Sequence, residues 1–197
     1  MTHQTTDLAQ LRKDIEFSAV LHGQNLKFHT TWGIFSPKSI DEGTQLLADL
    51  LEVKPDADCL DLGCGYGPLG LTLAKLAPKG TVQMVDKDFT AVDYSNRNAE
   101  LNGLNNAHAY LSNGFDQVPA DAMFDAIISN VPAKIGGELM TLMLHDARAH
   151  LKPGGQLYVV TISGLKDYMK RNLNEVFGNY DKLKQSKTYT AAVAKKM

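Results

Sequence analysis

The sequence predicts an α/β fold, a mostly parallel sheet of seven strands with helices on both faces and an antiparallel hairpin at its C-terminal end. Three observations carry this. A short apolar strand, Cys59–Leu62, runs into three alternate glycines and then a proline-led apolar helix. From there to Phe177, strand-like runs alternate with segments of helical period. Tyr180–Ser186 and Thr188–Lys195 then read as two strands joined by one residue, Lys187. Alternating strands and helices build a parallel sheet covered on both faces, and right-handed crossovers restrict its topology.

Taken in order, Asp7 is placed to cap a first helix with Leu8, Leu11 and Ile15 at helical spacing. From Phe17 the period changes to two: Phe17, Ala19 and Leu21, then Leu26, Phe28 and Thr30, with His22-Gly23-Gln24-Asn25 as the turn of a hairpin. An aromatic loop, Thr30 to Pro37, follows. Leu46, Leu47, Leu50 and Leu51 give the next helix its apolar face, and Lys54-Pro55 is expected to end it. After the glycine loop come a strand over Thr81–Asp86, a helix from Thr90 to Asn102 stopped by Gly103, and a strand over Ala107–Leu111. Phe124–Ser129 is apolar enough for the centre of a parallel sheet. Glu138–Leu151 is helical, Lys152-Pro153-Gly154-Gly155 punctuates it, and Gln156–Ile162 and Leu165–Phe177 form the last strand and helix before the closing hairpin. Residues 1–45 read as an extension packed on a domain over 46–197.

Composition excludes several classes of function. With 197 residues and 44% hydrophobic content the chain makes one core. It has no apolar run of the roughly 18 residues a membrane span requires. Met1–Gln10 is polar and lacks the order of a signal peptide. Cys59 and Cys64 suit neither a zinc set nor a disulfide framework and read as thiols of a reducing cytoplasm. Six scattered histidines show no ligand spacing, so no metal is expected. The net charge of -2 hides an asymmetry: residues 151–197 hold 9 Lys and Arg against 3 Asp and Glu, on an otherwise acidic body. Such a tail suits either a nucleic-acid face or a solvated edge strand that discourages aggregation.

Spacing selects the ligand of the glycine loop. Gly63-Cys64-Gly65-Tyr66-Gly67 brings the third glycine one position too early for a dinucleotide fingerprint. Asp61 stands two residues before the first glycine, where it would repel a pyrophosphate and attract an amino group. S-adenosylmethionine (SAM) carries such a group. In Asp61-x-Gly63-x-Gly65-x-Gly67 the chain resembles the Rossmann-like class I SAM-dependent methyltransferases.

That resemblance implies roles for the other strand ends. Asp86, with Lys87 beside it, lies where a carboxylate grips ribose hydroxyls, about 20 residues after the glycine loop. Asn113, Gly114 and Phe115 follow the third strand, where Asn113 would meet the adenine amino group and Phe115 would flank the ring. Ser129-Asn130-Val131-Pro132-Ala133 follows the fourth strand. Methyltransferases acting on the amines of nucleic-acid bases or of glutamine side chains carry Asn/Asp-Pro-Pro-aromatic there. An exocyclic amine is a poor nucleophile because its lone pair is delocalised into the ring. The Asn130 side-chain oxygen and the Val131 carbonyl can each accept an N–H bond and turn the lone pair outward, while Pro132 holds the turn. Val131 and Ala133 depart from the pattern. Ala133 removes a ring whose stacking on a base is worth about 1–3 kcal/mol, and Phe28, Trp32 and Phe35 are the candidates to replace it.

The N-terminal half sharpens the resemblance. Leu21-His22-Gly23-Gln24-Asn25-Leu26-Lys27-Phe28, Gly33-Ile34-Phe35-Ser36 and Asp41-Glu42-Gly43-Thr44-Gln45-Leu46-Leu47 are similar to the catalytic half of ribosomal-RNA guanine-N2 methyltransferases of the methyltransferase small domain family. The resemblance runs from about Phe17 to the C-terminus. It implies SAM as cofactor and Asn130, Val131 and Pro132 as the catalytic segment. Asp61, Gly63, Gly65, Gly67, Asp86, Lys87, Asn113, Gly114, Phe115 and Asn130 would contact the cofactor, and Trp32, Phe35, Ser36 and Ala133 the substrate. Ribosomal RNA is the implied partner and rRNA processing the implied role, with no membrane and no metal. The alternatives are a small-molecule or protein amine as acceptor, or a SAM-binding module without turnover.

Overall fold

The computed structural model describes Leu8, residues 13–134 and residues 136–197. The first helix expected around Asp7 and Leu11 lies outside the described residues, and Ile15 opens a strand instead. The chain runs β1 (Ile15–Leu21), β2 (Gln24–Thr30), α1 (Glu42–Ala48), β3 (Cys59–Leu62), α2 (Pro68–Leu76), β4 (Val82–Asp86), α3 (Phe89–Leu101), β5 (Ala107–Leu111), β6 (Phe124–Asn130), α4 (Gly137–His150), β7 (Leu151–Ile162), α5 (Lys166–Phe177), β8 (Asp181–Gln185) and β9 (Tyr189–Lys195). Seven strands form one sheet in the order β5-β4-β3-β6-β7-β9-β8. The first five are mutually parallel, and β9 pairs antiparallel with both β7 and β8. This is the expected architecture.

Alternation within the central strands divides the core between the two faces. Ile128, Met84 and Cys59 pack on one side with Leu47, Leu71 and Leu73. Ile127, Leu60 and Val85 pack on the other with Leu144, Leu157 and Leu173. Every residue of β3 is buried, as expected of a strand covered on both faces.

The β1–β2 hairpin forms a separate two-stranded sheet whose Leu21, Leu26 and Phe28 enter the first of these clusters. Its turn is tighter than expected. His22 and Gly23 alone form it, both at positive φ, and Gln24 already pairs with Leu21. The free edge of β2 is held by two asparagines one turn apart, Asn98 on α3 and Asn102 at its C-cap. Asn98 accepts from the His29 amide at 2.7 Å and donates to the His29 and Tyr66 carbonyls. Asn102 accepts from the Lys27 amide and donates to the Lys27 carbonyl.

Two boundaries moved. Helix α1 ends at Ala48, well before Pro55, because the Leu50 and Leu51 amides turn back to the Leu47 and Ala48 carbonyls. Lys152–Gly155 does not separate α4 from β7. The strand begins at Leu151, and residues 152–155 bulge opposite Asp125 alone, where Lys152 pairs with Asp58 and Asp125. Among the described residues, no helix is long and apolar enough to cross a membrane.

Candidate active site

The strand order reverses between β3 and β6, and the carboxyl ends of β3, β4, β5 and β6 surround that switch point. The glycine loop runs from β3 to α2. Gly63, Gly65 and Gly67 all have positive φ, so each needs glycine for conformation. A Cβ on Gly63 or Gly65 would point into open space, leaving the backbone bare for a ligand. The Gly63 and Cys64 amides bond to the Val85 carbonyl and fix the loop to β4.

Asp61 is almost wholly buried beneath this loop. Its Oδ2 accepts the Gly70 amide at 2.7 Å, inside the first turn of α2. Its Oδ1 has no partner, the one such buried side-chain oxygen or nitrogen among the described residues. Burial pushes the carboxyl up to about 7; the Gly70 bond opposes this and the nearby Asp86 charge adds to it. An unpartnered, buried acceptor under an open glycine loop suits a cationic amino group. Gly70 is also required, since a Cβ there would collide with the buried Met84 side chain.

Asp86 ends β4 half-buried. Its Oδ2 accepts the Gly65 amide at 2.9 Å and its Oδ1 the Asp88 amide at 3.0 Å. A carboxylate offers about four acceptor sites, so ribose hydroxyls can still be received. Lys87 is exposed beside it. Beyond β5, Asn113 is exposed and donates weakly to Asp116 at 3.4 Å, and Gly114 turns with positive φ. Phe115 departs from expectation. It is buried in the core and stacks on His150 at a centroid distance of 5.1 Å, so it supports the loop from beneath instead of offering an open ring face.

Asn130 closes β6. Its Nδ2 donates to Asp41 Oδ2 at 3.1 Å and to Thr44 Oγ1 at 2.9 Å. Its Oδ1 carries no bond from any described residue and is not sealed in. The buried Val131 donates its amide to the Val160 carbonyl, leaving its own carbonyl without a described partner. Pro132 and Ala133 are exposed. At the end of β6 the Asn130 side-chain oxygen and the Val131 carbonyl are thus two carbonyl-type acceptors without described partners.

The aromatic loop is tied down at Ser36, whose carbonyl and that of Ser39 accept from the Tyr66 hydroxyl at 3.3 Å. Ser36 itself has positive φ, and its hydroxyl donates to the Ser39 carbonyl. Ile34 anchors the loop in the core, while Trp32 and Phe35 stand about two-thirds exposed at 68% and 66%. Phe28 is a core ring, packed against Phe17 and Tyr66, and no platform for a base. Sequence reasoning missed Asp41, Thr44, Tyr189 and Asn98 as parts of the site and its scaffold. For Asp41 and Thr44 the signal existed, in an Asp placed to cap a helix three residues before a Thr.

A doubly wound sheet, a glycine loop with a buried carboxylate, a second carboxylate on the next strand and an Asn-x-Pro turn together define a class I SAM-dependent methyltransferase. The family model of the methyltransferase small domain matches residues 25–192, and the chain belongs to that family. A protein of Bacillus subtilis described as uncharacterised is 34% identical over 181 residues, covering 90% of this chain and 89% of that one. The Klebsiella pneumoniae ribosomal RNA small subunit methyltransferase C is 34% identical over 166 residues, 82% of this chain and 47% of that one. A Thermus thermophilus 16S rRNA N2 guanine methyltransferase, solved with AdoMet (SAM) and guanosine, superposes with a TM-score of 0.83 at 32% identity, covering 92% of this chain and 50% of that one. The chain thus spans about half the length of these two named rRNA methyltransferases.

Proposed function

We propose that this protein transfers the methyl group of SAM to an exocyclic amine, guanine N2 of ribosomal RNA. The observation that carries this reading is the Asn130 amide, its nitrogen tied inward and its oxygen without a described partner, with the Val131 carbonyl next along the chain. Similarity to a solved 16S rRNA N2 guanine methyltransferase, and to a relative named as a ribosomal RNA small subunit methyltransferase, supports it. So do the exposed rings of Trp32 and Phe35 and the exposed Lys182, Lys184 and Lys187. Such an acceptor implies a cytoplasmic location.

SAM supplies an electrophilic methyl on a sulfonium. Asp61 Oδ1 would receive its ammonium group, Asp86 the ribose hydroxyls, Asn113 and Gly114 the adenine edge, and Gly63 and Gly65 would let the cofactor lie on bare backbone. Asn130 Oδ1 and the Val131 carbonyl hold the two N–H bonds of the acceptor amine. This turns its lone pair toward the methyl and stabilises the charge that develops on nitrogen. The N–CH3 bond forms as the S–CH3 bond breaks, the electron pair returns to sulfur, and the amine then releases one proton to solvent.

The test separates cofactor from acceptor. Asn130→Ala is expected to leave the SAM dissociation constant within about twofold while single-turnover transfer falls by about a hundredfold, the scale of a lost positioning contact. Wild-type transfer by Asn130→Ala would refute the site. Ala133 favours a second reading, a protein or small-molecule amine, because no ring follows Pro132 to stack on a base. Methyl transfer to a free amine or a ribosomal protein in place of RNA would establish it.

A further inference from the structure

We infer that Asp41, Thr44 and Tyr189 are positioning residues that lock the Asn130 side-chain amide with its oxygen facing the acceptor. This rests on the role proposed above for Asn130, and it concerns what holds that amide, which no feature of the Asn-x-Pro turn supplies.

An asparagine amide has two nearly isosteric orientations, and only one of them presents an acceptor. Asp41 decides between them. Its Oδ2 receives the Gly43 and Thr44 amides at 3.0 and 3.2 Å as the cap of α1, and the same oxygen receives Asn130 Nδ2 at 3.1 Å. Rotating the amide by half a turn would set its oxygen against that carboxylate oxygen with no proton between them. Thr44 Oγ1, on a side chain buried from solvent, takes the second Nδ2 proton at 2.9 Å.

Asp41 is fixed in turn. Its Oδ1 accepts the Tyr189 hydroxyl at 2.9 Å, from the first residue of β9, 148 positions along the chain. Burial and the carboxylate push the phenol up to about 12, so it remains a donor throughout the working range of pH. Gly43 makes room for this ring. A Cβ there would lie 2.7 Å from Tyr189 Cδ1 and Cε1. The lock thus joins α1, β6 and β9, and it uses every proton of the Asn130 amide. Asp41 and Tyr189 are remote in sequence and touch no reacting atom, so they act through Asn130 alone.

Capping and locking are separable by substitution. Serine is a good helix cap yet is one atom too short to reach both Asn130 and Tyr189. Asparagine keeps an oxygen toward the three N–H donors and can donate its amide to the Tyr189 oxygen. Asp41→Ser is therefore expected to keep the wild-type SAM dissociation constant and acceptor KM while the single-turnover rate falls about tenfold or more. Asp41→Asn should restore most of that rate, and Thr44→Val should lower it with Thr44→Ser restoring it.

A second readout requires no acceptor. The Asn130 amide protons, assigned by their absence in Asn130→Ala, should exchange slowly with solvent in the wild type and rapidly in Asp41→Ser. Wild-type turnover by Asp41→Ser, in a protein that Asn130→Ala inactivates, overturns the lock and leaves the proposed function standing. If the wild type transfers no methyl to RNA, the proposed function falls, and the amide exchange still judges the lock. Equal exchange in the wild type and Asp41→Ser overturns it.

Discussion

Asp61 was legible as a carboxylate suited to an amino group, because the spacing rejects a pyrophosphate, and that role belongs to the proposed function. That one of its oxygens would be spent on the Gly70 amide was not legible, since it depends on how closely α2 approaches β3. The same limit applies to Phe115, whose burial against His150 is decided by α4 packing. The raised Asp61 carboxyl has a measurable consequence. In the ligand-free fold it keeps its proton up to about 7, whereas an unfolded aspartate releases it at about 4. The folded state therefore binds the extra proton between these values. This group's contribution to stability is full below about 4, declines as pH rises toward 7 and is level above. A bound ammonium group reverses the shift by favouring the charged carboxylate. Calorimetry of SAM binding at pH 6 in buffers of different ionisation enthalpy should reveal release of most of one proton, and Asp61→Asn should abolish it while weakening binding by about one to two decades. No proton release by the wild type would separate Asp61 from the ligand.

At the scale of elements, every strand and helix from β3 onward was legible, because apolar periodicity and glycine punctuation are local signals. What was hidden was set by contacts distant in sequence. The Lys152–Gly155 segment reads as a linker, yet pairing with β6 draws it into β7 as a bulge. The β1–β2 hairpin was legible, but not what holds it. Asn98, fully buried, bonds both the His29 backbone and the Tyr66 carbonyl of the glycine loop, and so ties the aromatic half of the site to the cofactor half. Asn98→Ala removes three bonds and strands buried backbone groups. A loss of about 2–4 kcal/mol is expected, from about 1–3 kcal/mol for each polar group left unpaired. Chemical denaturation would measure it, and a change below about 0.5 kcal/mol would show that the hairpin is held by its apolar residues alone. Of the Asn130 lock only the Asp41 cap had a local signal, and its bonds to Asn130 and Tyr189 were hidden because they join three elements that meet only in the fold.

Across the whole molecule, the charge division seen in the sequence takes a definite place. Strand β8 is the exposed edge of the sheet, and Lys182 and Lys184 stand on it. Lys187 lies in the turn before β9, whose first residue pairs with Ile162 at the carboxyl end of β7, the end that bears the site. An RNA face and a solvated edge differ in the salt dependence of binding. Replacing Lys182, Lys184 and Lys187 together with glutamine should weaken RNA binding and reduce the slope of log K against log salt by about 0.7 per lost phosphate contact on single strands. An unchanged slope would make these lysines guards of the edge strand.

The acceptor is identified by the nucleoside that takes the methyl group. Ribosomal RNA and small subunits from a strain lacking this protein would be incubated with the purified protein and methyl-labelled SAM, and the RNA digested to nucleosides for chromatography and mass spectrometry. Label is expected in N2-methylguanosine, present with the wild-type protein and reduced about a hundredfold with Asn130→Ala. Label in another nucleoside, in ribosomal protein, or in no product at all, from a protein that binds SAM, would refute guanine N2 of ribosomal RNA as the acceptor.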